Sequence, residues 1–551
     1  MVKKKLFCAA ALSGLMFVLA SGPPASMVQT APQASPRPKL VVLLVVDQLR
    51  GDYLTQYGGN FTAGLHRLMR GGAWFKEAAY PYLNTVTCAG HATIGTGTFP
   101  YQHGMILNGW LDRRTGETPY CTDDPSAKEI SYNGLEPTMG DSAKKLLRPS
   151  LGEQIHERGG RSVAISLKPR SAIPLAGHEA DAVIWFDARG GWSTSTAFTR
   201  RPVPFLQEFI DANPLAADYD KTWERSLEPS AYKYEDDAVG EGKPTGWSRT
   251  FPHPLGTPGG KPDAAFYSRW QRSPFSDEYL ARMAMATIDA LQLGRARSTD
   301  FLAVSFSSLD LVGHAYGPRS HEVQDLLVRL DRTMGRLLDH LDKTVGAGNY
   351  VLGLSADHGV ADLPEQVGQG GRQPGRQAFD ALTKALVAAL GPGDHVAAVA
   401  YTDIYLYPDA NRRLKRDSKL MAAAVDALRS LPAVERVFSA DEIDDEDARA
   451  STDPVVRAAA LSYHKDRSGD LIIVPKDQWL FSTAVTTHGT HRRYDQHVPV
   501  IVFGASVKAG EYSGAATPAD VVPTLAAVAG VRIEKTDGRP LTEALAGSTS
   551  R

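Results

Sequence analysis

This sequence lacks an excess of charge of either sign: Lys plus Arg is 60 against Asp plus Glu 62 over 551 residues. No global basic field exists to hold a nucleic-acid backbone, so nucleic acid is not expected as a stable partner, and any phosphate binding must come from a local site. Beyond the first twenty residues no run is long and apolar enough to span a bilayer. No internal repeat of solenoid length is present, which excludes a solenoid. Cysteine is scarce: Cys8, Cys88 and Cys121 are all there are. With 43% apolar and 22% charged residues, the chain has the composition of a folded globular protein.

The N-terminus carries an address. Lys3, Lys4 and Lys5 precede an apolar stretch over residues 6–20, and small residues and prolines follow over 21–26. That order predicts a secretory signal peptide over residues 1–22, with Cys8 removed in it, and a periplasmic or secreted location without a membrane span after cleavage. In an oxidising compartment Cys88 and Cys121 can form one disulfide or remain two separate buried thiols, and both readings stay open. Residues 23–38, rich in Pro, Ala, Ser and Gln, predict a flexible linker.

At Lys39 the texture changes. Residues 40–46 form a continuous apolar run, the mark of a strand buried on both faces, and similar runs recur at 162–167, 301–306, 350–354 and 498–503. Helix-like segments at 279–293, 321–341 and 520–529 separate or follow them. The alternation predicts an α/β fold, a mostly parallel central sheet with helices on both faces. Two stretches interrupt it. Residues 187–275 predict an irregular insertion, and residues 362–489 a cap subdomain inserted into a catalytic domain of residues 39–361 and 490–545.

Ligands of open parallel sheets collect beyond the carboxyl ends of the strands. Asp47 follows the first run, Asp310 and His314 follow the third, Asp357 and His358 follow the fourth, and His488 precedes the last. A single such Asp is ordinarily a helix cap or turn residue; four coincidences point to one site, and mixed nitrogen and oxygen donors suit Zn²⁺ better than Mg²⁺ or Ca²⁺. Thr87, in Thr-Cys-Ala-Gly-His-Ala, falls near a predicted helix N-terminus, where an anion is favoured; simple N-capping is the other reading of it. Asn108 follows as a neutral donor. Lys168-Pro169-Arg170 ends the second run, so both cations can point into the same site.

These motifs, in order over most of residues 39–545, resemble the alkaline phosphatase superfamily, in the branch of type I phosphodiesterases and nucleotide pyrophosphatases: Val-Val-Asp-Gln at 45–48, Thr-Cys-Ala-Gly-His-Ala at 87–92, Thr-Gly-x-x-Pro-x-x-His-Gly at 96–104, Asp310-x-x-x-His314, Ala-Asp-His-Gly at 356–359 and His-Gly-Thr at 488–490. The resemblance implies two Zn²⁺, one held by Asp47, Thr87, Asp357 and His358, the other by Asp310, His314 and His488. It implies Thr87 as nucleophile, with Asn108, the backbone N–H near Cys88, Lys168 and Arg170 on the phosphate oxygens. Lys168 and Arg170 resemble the Lys-x-Arg pair of zinc alkaline phosphatases and point to phosphate monoesters, which carry one more negative charge than diesters. A phosphodiesterase with the same metals is the alternative. A structural Ca²⁺ among the acidic residues 441–447, and the oligomeric state, are left open by the sequence.

Overall fold

Leu40–Val46 contains no polar residue, and all seven side chains are fully buried, the pattern of a strand covered on both faces. It pairs in parallel with Asp300–Phe306 on one side and Tyr350–Ser355 on the other. Ser162–Ser166 and Ala182–Asp187 extend the parallel order. The computed structural model describes residues 37–546; the expected signal peptide, and the linker up to residue 36, lie outside them. In all, eleven strands form the central sheet. Its core is parallel and its margins are mixed, which bears out the expected α/β fold.

Val500–Gly504 runs antiparallel to Tyr350–Ser355. The chain therefore enters this strand at the edge where its parallel neighbours end. That is why His488, which precedes its strand, can reach side chains that follow theirs. His321–Thr344 is a helix because its apolar residues recur at three and four positions. Val323, Leu326, Leu327, Leu330, Met334, Leu337, Leu338 and Leu341 are buried, and Ser320 caps its start by accepting from the Val323 N–H. It packs against Pro274–Leu291 and Gly64–Gly71.

Within residues 362–489 lies a second, four-stranded antiparallel sheet of Val396–Ala400, Asp403–Leu406, Leu471–Pro475 and Val434–Ser439. It has its own hydrophobic cluster, including Leu382, Ile404, Leu428 and Ile473. Among the acidic residues 441–447, Glu442 completes a capping box with Ser439, Asp445 accepts from the Ala448 N–H, and Asp441 pairs with Lys415.

Residues 187–275 are more ordered than their Gly- and Pro-rich composition suggests. Gly191–Ser195 joins the main sheet antiparallel to Ala182–Asp187, and Pro204–Ala212 and Ala264–Gln271 are helices. Aromatic burial organises the segment. Trp192, Trp223 and Trp270 are fully buried, and Trp192 stacks on Tyr279 with ring centroids 5.3 Å apart.

The same segment buries Glu241, whose two carboxylate oxygens have no hydrogen-bond partner. Burial, with Asp236 and Asp237 nearby, pushes its pKa up to about 8. A carboxyl raised on folding keeps its proton in the folded chain while the unfolded chain has lost it. Stability therefore falls as pH rises from the ordinary carboxyl range to about 8 and levels off above. Glu241→Gln removes this penalty and is expected to stabilise by ~2–4 kcal/mol at pH 9 and distinctly less at pH 6. Thermal melts of both chains at the two pH values check this; a gain independent of pH would count against it.

Candidate functional site

The parallel register places Val46 opposite Phe306 and Val45 opposite Ser355, so the residues that follow all three strands emerge side by side. Asp47 leaves the first strand, fully buried. Asp310 lies in the first turn of the helix Ser308–Tyr316, and His314, one turn on, sets its Nε2 3.1 Å from Asp310 Oδ1. Gln48, the residue after Asp47, binds the other two carboxylates. Its backbone N–H donates to Asp357 Oδ1 at 3.0 Å and its side-chain amide to Asp310 Oδ1 at 2.7 Å, and its φ of 69° turns the chain to allow both. Gln48 stood in the Val-Val-Asp-Gln motif without a role assigned to it.

Each candidate histidine is oriented from behind. Nδ1 of His314 bonds to the Thr486 carbonyl (2.9 Å), that of His358 to the Gly359 carbonyl (2.9 Å) and that of His488 to the Thr85 carbonyl (2.8 Å). A carbonyl can only accept, so in all three rings Nδ1 carries a proton and Nε2 is the nitrogen turned to the site. Burial lowers the pKa of His358 and, with the neighbouring imidazoles opposing a further positive charge, that of His488 falls well below the usual value, so both rings are neutral and fit to ligate; the Asp310 carboxylate outweighs burial at His314 and raises its pKa.

The ligand atoms gather in two groups, Asp47–Asp357–His358 and Asp310–His358–His488. His358 Nε2 lies 3.5 Å from Asp47 Oδ1 and 3.3 Å from Asp357 Oδ2, and its ring stacks on His488 with centroids 3.4 Å apart. The first group is the expected set apart from Thr87. In the second, His358 stands where His314 was expected, although His314 is nearer to Asp310 than His488 is, at 3.1 Å against 3.8 Å.

Charge shows what the site suits. Burial pushes the Asp47 carboxyl well above the usual range, and the charges of Asp310 and Asp357 push it further. Burial also acts to raise Asp310, but the Lys168 ammonium and then His314 outweigh it and hold that carboxyl well below the ordinary value. Lys168 Nζ sits 2.6 Å from Asp47 Oδ2 and 2.5 Å from Asp310 Oδ2. It enters the site as expected, yet it bridges carboxylates rather than facing open space. Asp47 Oδ1 and Asp357 Oδ2 are buried without a hydrogen-bond partner. Three buried carboxylates, two orphaned oxygens and three imidazoles with Nε2 turned inward fit divalent cations with nitrogen and oxygen ligands.

Thr87 opens the helix Thr87–Thr96, every residue of which is buried. Val86 holds the N-cap position, so Thr87 is not the cap; its Oγ1 lies 3.4 Å from His358 Nε2. Gly90 is dictated by packing, since a Cβ there would collide with the Asp357 carbonyl. His91, unassigned in the sequence reading, bonds through Nδ1 to the Thr87 carbonyl (2.9 Å), lies 3.2 Å from Asp357 Oδ2 and meets Ser305 Oγ at 2.8 Å. It locks the helix Thr87–Thr96 to the sheet edge that carries Asp357 and Ser305. Of the two readings of the cysteines the structure has the disulfide, Cys88–Cys121. The Cys88 N–H, expected to face substrate, donates to Asn108 Oδ1 at 2.9 Å, which leaves the Asn108 amino group to face elsewhere. Arg170, half-buried, has a buried Nε without a partner.

Residues 41–498 match the family described as Type I phosphodiesterase / nucleotide pyrophosphatase. The chain belongs to this family. Among its relatives, Alkaline phosphatase PafA of Elizabethkingia meningoseptica is 33% identical over 538 residues, covering 93% of this chain and 95% of the relative. Alkaline phosphatase PhoV of Synechococcus elongatus is 30% identical over 515 residues, covering 90% and 91%. The crystal structure of wild-type PafA superposes with a TM-score of 0.83 at 30% identity, over 93% of this chain and all of that one. A further PafA structure carries substitutions at a threonine, an asparagine, a lysine and an arginine. The threonine–asparagine and lysine–arginine intervals there are those that separate Thr87 from Asn108 and Lys168 from Arg170 here.

Proposed function

We propose that this family member is an exported alkaline phosphatase that hydrolyses phosphate monoesters through a phosphothreonine on Thr87, with two Zn²⁺ in its site. The observation that carries the reading is the Thr87 hydroxyl at a helix N-terminus, 3.4 Å from His358 where the two ligand groups meet, with Lys168 on Asp47 and Asp310 of the same groups. One Nε2 lone pair serves one cation. His358 is therefore assigned with Asp47, Asp357 and Thr87, and His314 joins Asp310 and His488. When bound, the metals lower the pKa of the threonine hydroxyl and stabilise charge on the departing oxygen.

The chain's own residues do the rest. The helix start and the donors Asn108 and Arg170 hold the transferring phosphoryl group in line with Thr87 Oγ1. Thr87 attacks phosphorus, the P–O bond to the alcohol breaks, and the alcohol leaves. Water then cleaves the phosphothreonine, restoring the Thr87 hydroxyl and releasing inorganic phosphate. Two in-line displacements predict net retention at phosphorus. Arg170 matches the additional charge of a monoester, since its fork grips two oxygens at once. Residues 362–489 serve as the cap of this site, and residues 1–22 as the export signal. Among the described residues no helix is long and apolar enough to cross a membrane.

The test is kcat/KM for an aryl phosphate monoester and the corresponding diaryl diester. The monoester is expected to be preferred, and Arg170→Ala to cost the monoester ~10²–10³-fold but the diester less than ~10-fold. Lys168→Ala is expected to follow the same pattern with an added loss on both, because Lys168 also holds Asp47 and Asp310. A strong diester preference in the parent chain, or equal losses on both substrates, would return the chain to the phosphodiesterase reading.

A further inference from the structure

Asn108 lies in a stretch with little regular structure. Between the helix Pro100–His103 and the strand that starts at Asp123 there is no helix or strand, and residues 113–118 are exposed. Such a segment is the kind that wanders, yet a phosphoryl-binding donor has to be held to within a fraction of an ångström. Two hydrogen bonds hold this one, and both come from the half-cystines. The Cys88 N–H donates to the Asn108 side-chain oxygen at 2.9 Å, and the Cys121 N–H donates to the Asn108 main-chain oxygen at 2.9 Å. A bridge between Gly109 and Tyr120 closes the loop beside them. Cys88 is the residue after Thr87, and the disulfide joins it to a position 33 residues on. The covalent link thus joins the start of the nucleophile helix to Cys121, and a hydrogen bond from each half-cystine reaches one of the two carbonyl groups of the same asparagine.

We infer that the Cys88–Cys121 disulfide is a positioning device for the reaction: it registers the Asn108 amide against Thr87, so that its N–H groups meet the phosphoryl oxygens. The inference rests on the roles of Thr87 and Asn108 given above. It makes Cys88 and Cys121 positioning residues that touch no substrate. The disulfide also stabilises the fold by closing a long loop, so a lower melting temperature on its loss does not distinguish positioning from stapling. Coupling to Asn108 does.

The experiment is a double-mutant cycle on the full-length zinc enzyme, well below its melting temperature, with far-UV circular dichroism and zinc content checked for every chain. Cys88→Ala/Cys121→Ala is expected to lower monoester kcat/KM ~10–50-fold when Asn108 is present, and less than ~2-fold in an Asn108→Ala background, where no amide remains to be positioned. Equal losses in the two backgrounds overturn the inference and leave the disulfide a staple; no loss in either does the same. If Asn108→Ala alone leaves kcat/KM unchanged, the reading of the site itself fails, an outcome distinguishable from the others. Should the alanine pair not fold, the same comparison is made on folded parent and Asn108→Ala chains after reduction with a water-soluble phosphine. The phosphine becomes its oxide with oxygen from water, while the disulfide takes up two electrons and two protons; thiol titration confirms the opening.

Discussion

Thr87→Ala is expected to lower kcat/KM for a phosphate monoester by ~10⁴-fold or more, with the chain still folded. The size of the effect follows from the position of the hydroxyl. Thr87 is 2% exposed, heads its helix, and directs Oγ1 at His358 Nε2 instead of accepting from a backbone N–H as a cap would. Removing one oxygen deletes the proposed nucleophile and metal ligand, while the main-chain contacts of the helix remain. His91, for instance, bonds to the Thr87 carbonyl, which alanine retains. Two measurements check the expectation. Steady-state kinetics give the loss, and acid-quenched turnover of a phosphorus-labelled monoester should leave label on Thr87 in the parent chain and none in the variant. Thr87→Ser keeps the oxygen and should recover a substantial part of the rate. Activity of Thr87→Ala within tenfold of the parent, or label at another residue, would falsify the phosphothreonine route.

Metal removal should produce a loss of similar size. Chelation is expected to reduce turnover at least ~10³-fold, and Zn²⁺ to restore it better than Mg²⁺, because the donor set offers three imidazoles beside three carboxylates. The melting temperature should fall with it, since a cation bound only by the folded chain stabilises that state by mass action. The electrostatics make the dependence strong. Asp47 is pushed up by burial and by its two carboxylate neighbours, and among the described residues Lys168 is the one ammonium that ion-pairs with this cluster, at 2.6 Å from Asp47 and 2.5 Å from Asp310. Turnover that survives in protein shown to be metal-free would remove the metals from the proposed site.

Much of the site could be read from one-dimensional pattern, for a physical reason. A strand buried on both faces must be a continuous apolar run, and the first polar residues after it stand at the sheet edge where ligands gather. Asp47, Asp310 and Asp357 were legible on that ground. His488 precedes its strand, and its place at the same edge follows only once Val500–Gly504 is known to run antiparallel. Gln48 and His91 had no signal beyond membership of a motif, because their work is done on partners far along the chain: Gln48 bonds to Asp357 and Asp310 at separations of 309 and 262 residues. Residues 187–275 read as irregular because their order comes from aromatic packing and not from a helix or strand period.

By itself, then, the sequence determined the α/β class, the apolar strands and the residue types at their ends, since burial and periodicity are local properties written in neighbouring side chains. Only the tertiary structure decided which atoms meet. It set Lys168 between Asp47 and Asp310, made Thr87 the first helical residue instead of the cap, joined Cys88 to Cys121, and turned the Cys88 N–H toward Asn108. Those choices depend on contacts between distant segments, where a shift of an ångström changes the partner, and no local pattern encodes them.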